Sequence, residues 1–200
     1  MRVALVTPPA EEPVTLAEAK LWMKVDGGDE DALISSLITT ARMTAEEYTR
    51  RAFVTQTWRL TLDTGARGVP DWLTAGTYDL PVNCFGGDIP TAFELPRQPI
   101  LSITGVTTYD GDNVAAVFAP ANYSLSGTRI VLTDYWPSGL RPYGGAEITY
   151  VCGYGNAAAV PEPIKTAIKM HAQKMYDDRT VCDLPGGCER LLRQYRVMAL

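Results

Sequence analysis

The period of the hydrophobic pattern changes once, near residue 53, and that change constrains the fold more than any other feature of the sequence. Before it, "DEDALISSLITTARMTAEEYTRRA" (29–52) sets Leu33, Ile34, Leu37, Ile38, Ala41, Ala45 and Tyr48 at helical spacing, so one stripe can be buried. Acids lead this segment and Arg50 and Arg51 end it, as the helix dipole favours. After it, "TQTWRLTLD" (55–63) alternates Trp58, Leu60 and Leu62 against Thr57, Arg59 and Thr61, the period of a half-buried strand. A chain holding both periods in separate blocks builds helical and sheet layers separately, which is the α+β class.

The blocks extend in both directions. "PVTLAEAKLWMKVDGG" opens with a capping box, Thr15 and Glu18, so a first helix is expected from Thr15 to about Val25, where Asp26-Gly27-Gly28 supplies turn chemistry. Downstream of the first strand, "TAFEL", "ILSITGVTTYD", "NVAAVF", "NYSLS", "TRIVLT" and "AEITYVCG" read as further strands, with "YDGDN" (109–113) as a hairpin turn. A third helix, "PEPIKTAIKMHAQKMYDDR", places Ile164, Ala167, Ile168, His171 and Met175 on one face, and "CERLLRQYRVMAL" offers a short basic amphipathic helix and tail. The stretch 63–90 has few clear signals and reads as a long excursion at a sheet edge. The expected organisation is a small helical bundle, two N-terminal helices (1–52) and two C-terminal ones (153–200), with an inserted, mainly antiparallel β-domain (53–152).

Charge limits the partners. The chain of 200 residues carries 18 basic and 23 acidic side chains, a net charge of −5, and all five lysines lie outside 53–152. Gripping DNA through its phosphates requires a dense basic face, so tight nucleic-acid binding is disfavoured, whereas DNA passing nearby is not. No window approaches a membrane span, and the apolar run in "MRVALVTPPAEEP" is too short for a signal peptide, so the chain is expected to stay where it is made. Its four cysteines, Cys84, Cys152, Cys182 and Cys188, are then expected as free thiols.

Catalytic chemistry finds little support. The lone His171 sits on an apolar helical stripe, where a packed histidine is the simpler reading, and its spacing from Cys182 and Cys188 is unlike a zinc knuckle. No serine lies in a nucleophile elbow. Asp110 and Asp112 read as solvated turn residues, and Glu46-Glu47 and Asp177-Asp178 as solvated helix faces. The Gly153-Tyr154-Gly155 turn resembles the start of a phosphate-binding loop, but Asn156–Val160 delay the next helix, Pro161 and Pro163 remove amide donors from its start, and no lysine follows. No enzyme activity, cofactor or metal is therefore expected. Exposed aromatics such as Trp72 and Trp136 leave a glycan-binding or protein-binding β-domain as the alternative.

The order and spacing of "VTLAEAKLWMKVD", "DEDALISSLITTARMTAEEYTRRAFVTQTWRLTLD", "LPRQPILSITGVTTYD" and "ITYVCGYGNAAAVPEPIKTAI" resemble the head-to-tail connector (adaptor) proteins of long-tailed double-stranded DNA phages and phage-derived gene transfer agents. The resemblance runs from about Val14 to Val197 and departs from the family at Tyr78–Thr91 and in the cysteines of "VCDLPGGC". It implies a structural virion neck protein, assembled in the bacterial cytoplasm. About twelve copies would form a ring on the portal protein, continue the DNA channel and meet the next neck protein, a stopper or tail terminator. In such an adaptor the basic tail is the expected docking segment, through Arg190, Leu191, Leu192, Arg193, Tyr195, Arg196 and Val197.

Overall fold

A computed structural model describes residues 2–63, 92–133, 136–179 and 183–197. The chain divides into two compact units, each discontinuous in sequence: residues 1–6, 57–95 and 100–151 form a β unit, and residues 7–56, 96–99 and 152–200 form a helical unit. The fold is α+β.

In the helical unit, α1 (Leu16–Met23) begins at the expected capping box, with the Glu18 N–H donating to Thr15 Oγ1 (3.2 Å) and the Thr15 N–H to Glu18 Oε2 (2.7 Å). It stops at Lys24, whose left-handed backbone (φ 58°) caps the helix before the glycines are reached. Helix α2 (Asp31–Thr49) buries Ile34, Ile38, Ala41 and Ala45 against Ile164, Ala167, Ile168 and Ala172 of α3 (Glu162–Asp178). His171 is part of this buried face. Helix α4 (Gly186–Leu192) closes the bundle with Cys188 and Leu192. Each large side chain removed from water here contributes about 1.5–3 kcal/mol, so the core follows from the stripes in the sequence.

The buried stripe of α2 is turned relative to expectation. Leu33 is 43 % exposed, while Arg42, Glu46 and Thr49 are buried. Glu46, expected on a solvated face, is buried instead: its Oε2 accepts from Arg42 Nη1 (2.7 Å) and its Oε1 from the Phe53 N–H and Gln56 Nε2 (2.8 Å each). Arg42 Nε also donates to Glu12 Oε2 (2.8 Å), so every charge in the cluster has a partner.

The segment 96–99 returns to this unit between two strands of the other. Arg97 donates through Nη1 to the Glu46 carbonyl (3.1 Å) and pairs with Glu47, and the Ala52 N–H donates to the Gln98 carbonyl (3.2 Å). Nearby, the backbone of 153–155 lies along that of 53–55. The Tyr154 N–H donates to the Phe53 carbonyl and the Thr55 N–H to the Gly155 carbonyl, both at 2.9 Å. A Cβ on Gly153 would stand 2.5 Å from the Val54 carbonyl oxygen, and its φ of +124° belongs to glycine.

Among the described residues, the β unit holds two sheets. The first has the order β1-β2-β8-β4-β5, from β1 (Arg2–Thr7), β2 (Gln56–Leu62), β4 (Ile100–Tyr109), β5 (Ala115–Phe118) and β8 (Ala146–Cys152). The second is β3-β7-β6, from β3 (Ala92–Glu94), β6 (Tyr123–Ser126) and β7 (Arg129–Leu132). Strand β8 alternates buried and half-buried residues without a break, burying Ala146, Ile148, Tyr150 and Cys152 at the centre of the first sheet.

Neighbouring strands of the first sheet run antiparallel. Tyr109↔Ala115 and Val106↔Phe118 set the β4–β5 register, and the Tyr109 N–H donates to the Gly145 carbonyl at the head of β8. Asp63, just past β2, accepts from the Gly144 N–H (2.9 Å). That bond first, and the charge of Arg2, hold its carboxyl below the usual range. The hairpin at 110–113 forms as expected: Asp110 Oδ1 accepts from the Asp112 and Val114 N–H groups, and Asn113 takes a positive φ (63°).

Candidate functional site

The basic C-terminal face is built on two buried anchors. Cys188 and Leu192 are 0 % exposed in the bundle core, four residues apart on α4. A turn of 3-10 helix, Arg193–Tyr195, continues from α4, and Leu191 and Tyr195 lie half-buried against the core. The chain is then tied to the end of α2: the Val197 N–H donates to the Thr49 carbonyl (2.9 Å) and Arg51 Nε donates to the Tyr195 carbonyl. Arg196 places its guanidinium 5.2 Å from the centroid of the Tyr48 ring.

With the apolar positions turned inward, the arginines turn outward. Arg190, Arg193 and Arg196 are exposed; three-residue spacing along the α/3-10 segment puts Arg190 and Arg193 on one side, and Arg196 follows as the extended cap of the 3-10 turn. Among the described residues, neither Arg190 nor Arg193 forms an ion pair. Of the seven residues singled out in the sequence, the three arginines thus form the accessible surface. Leu191 and Tyr195 are half covered, Val197 is held by its amide, and Leu192 supports the face from inside. Arg50 is exposed in a left-handed cap at the end of α2.

The remaining candidates resolve into packing. Glu11 Oε1 accepts from the Ala157 N–H (2.7 Å) beside the glycine turn, and Asn156 Oδ1 accepts from the Ala159 N–H (3.1 Å), so the chain's own acceptors engage the amides that a phosphate would seek. Burial pushes the Cys152 thiol up to about 12 and the Cys188 thiol up to about 11, the setting of inert thiols. Both are free. Cys84, Cys182 and Trp72 lie outside the described residues, and no group of three or more metal-capable side chains occurs among the described ones. Trp136 packs against Phe118, ring centroids 5.1 Å apart, and Phe118 stacks on Tyr123, so this tryptophan belongs to an aromatic cluster rather than to an open sugar platform. A shallow groove on α1 is lined by Leu16, Lys20, Leu21 and Lys24, with Leu21 82 % exposed.

Residues 13–109 match the sequence model of the phage gp6-like head-tail connector protein family. No curated protein matches the sequence. Among solved structures, a chain from the "Neck of empty GTA particle computed with C6 symmetry" is similar at a TM-score of 0.77 and 21 % identity, covering 100 % of this chain and 97 % of that one. Chains from the "Neck of native GTA particle computed with C12 symmetry" and the "Virion of native gene transfer agent (GTA) particle" are similar at TM-scores of 0.73 and 0.72, with the same identity and coverage. Residues 13–109 thus carry the sequence pattern of the head-tail connector family, and the full chain shares its fold with gene transfer agent neck chains.

Proposed function

We propose that this protein is a structural component of a virion neck, a head-tail connector that assembles as a ring on a portal and offers the platform for the next neck protein. The observation that carries this reading is the full-length fold likeness to neck chains, joined to the family match over residues 13–109. In this reading the helical unit and the β unit are the two working parts, and the ring holds about twelve copies, in keeping with the C12 symmetry named for one similar neck. DNA would pass through the lumen without sequence-specific contact, which suits a chain of net charge −5 with no lysine in residues 53–152.

The basic face of Arg190, Arg193 and Arg196, with Tyr195 and Val197 beside it, is the proposed portal-docking surface, recognising acidic side chains of the portal. Leu191 and Leu192 contribute by fixing its shape. Deleting the gene is expected to leave heads that fill with DNA but carry no tails, or leak DNA, as counted by electron microscopy. Normal tailed particles from the deletion would overturn the reading.

A further inference from the structure

Among the described residues, the first sheet ends in two edges, β1 and β5, with no strand beyond them. On β5, Ala115, Ala116 and Val117 are exposed, Val117 at 80 %, and Val114 just before them is 61 % exposed. On β1, Leu5 and Val6 are 46 % and 44 % exposed. Natural edge strands are usually guarded by lysine, proline or a bulge, because their unpaired N–H and C=O groups template another strand. Strand β5 carries neither a charge nor a proline, and the only charged residue of β1 is Arg2. Among the described residues, both margins of this sheet are thus largely apolar, with no lysine, proline or bulge guarding them.

We propose that β1 of one copy pairs with β5 of the next, joining the sheets of neighbouring copies; this rests on the ring reading given above. Five antiparallel strands in the order β1-β2-β8-β4-β5 give β1 and β5 the same direction, so an in-plane neighbour brings them together in parallel, and the register that pairs opposite charges puts their N-terminal ends side by side. That alignment sets Arg2 at the head of β1 beside Asp112, which is exposed in the turn at the head of β5. Opposite charges meet at one end and apolar side chains along the rest. Because two different edges meet, the contact is heterologous, the kind that closes into rings.

The pairing is tested with Val6→Cys and Ala116→Cys combined, in a chain whose Cys84 and Cys182 are replaced by serine. Four strand spacings of about 4.8 Å separate β1 from β5 within one copy, roughly 19 Å, far beyond disulfide reach. Any bond is therefore between copies. Oxidation under conditions where native mass spectrometry detects rings of the serine-substituted parent is expected to give a ladder of multimers, which neither single cysteine variant gives. A parent that forms rings while the double variant gives no ladder overturns the pairing and leaves the neck reading standing. A parent that forms no ring, alone or on portal rings, overturns the ring reading and the pairing with it. As a second arm, Val117→Lys is expected to lower the ring fraction about tenfold with an unchanged thermal midpoint, since an edge lysine opposes strand addition. Rings at the parent's level in that variant would also count against the pairing.

Discussion

Gly153 is fixed by its neighbours rather than by the turn it sits in. With φ at +124° and the Val54 carbonyl carbon and oxygen 2.6 and 2.5 Å from where a Cβ would be, Gly153→Ala must move backbone. We expect a loss of roughly 2–4 kcal/mol, read as a lower denaturant midpoint with an unchanged slope. The sequence showed a glycine turn at 153–155, but the approach of residues 53–55 from a hundred positions away leaves no local mark. Glu46 teaches the same lesson. An Arg42/Glu46 pair at i,i+4 looks like any solvated helix pair, and its burial becomes visible only through the Phe53 N–H and Gln56 that it accepts from. Burial raises the Glu46 carboxyl above its ordinary 4.5, against the pull of Arg42 and the hydrogen bonds. The folded state thus holds this proton more tightly than the unfolded one. Its contribution is fully present below 4.5 and is lost as pH rises through the folded value. Glu46→Gln should flatten the pH dependence of stability in that window, measured by denaturation at several pH values. Glu46→Ala, which strands buried Arg42 and two donors, should cost about 3 kcal/mol or more at neutral pH.

Elements were legible wherever a pattern was local. The capping box fixed the start of α1, and Thr15→Ala is expected to cost about 1 kcal/mol in thermal or chemical unfolding, because Glu18 loses its reciprocal partner. The alternation of β8 and the stripe of α3 likewise stood in the sequence as they stand in the fold. Strand β1 did not, because "RVALVT" lies exposed at a sheet edge and has no alternation to reveal it. The rotation of α2 was hidden by its polar residues: counting only apolar positions put Leu33 inside and left out Arg42, Glu46 and Thr49. The amphipathic pattern of the tail is legible in the sequence, but its tether to α2 is not. Removing everything after Gln194 deletes the Arg51–Tyr195 and Val197–Thr49 bonds and should lower stability by about 1–2 kcal/mol, so truncation tests folding and docking together.

At the scale of the whole molecule, the proposed docking therefore needs a variant that changes charge and spares the fold. Arg190→Ala, Arg193→Ala and Arg196→Ala together remove three exposed guanidinium groups without touching Cys188 or Leu192, the anchors beneath them. Among the described residues the stacking of Arg196 on Tyr48 is the internal contact at risk, and Arg196→Lys in place of alanine keeps a cation at that ring. If the face binds acidic portal groups, the triple variant should co-sediment with portal rings at least about tenfold more weakly, and raising ionic strength should weaken the unsubstituted chain in the same direction. Its thermal midpoint should stay near that of the parent, since surface changes of this kind usually lie within about 0.5 kcal/mol. Undiminished, salt-independent co-sedimentation would move docking elsewhere, and the α1 groove with Leu21 at 82 % exposure is the next surface to substitute. The two outcomes separate cleanly: an electrostatic face loses binding with salt and with the arginines, whereas an apolar groove keeps binding in salt and loses it with Leu21→Ser.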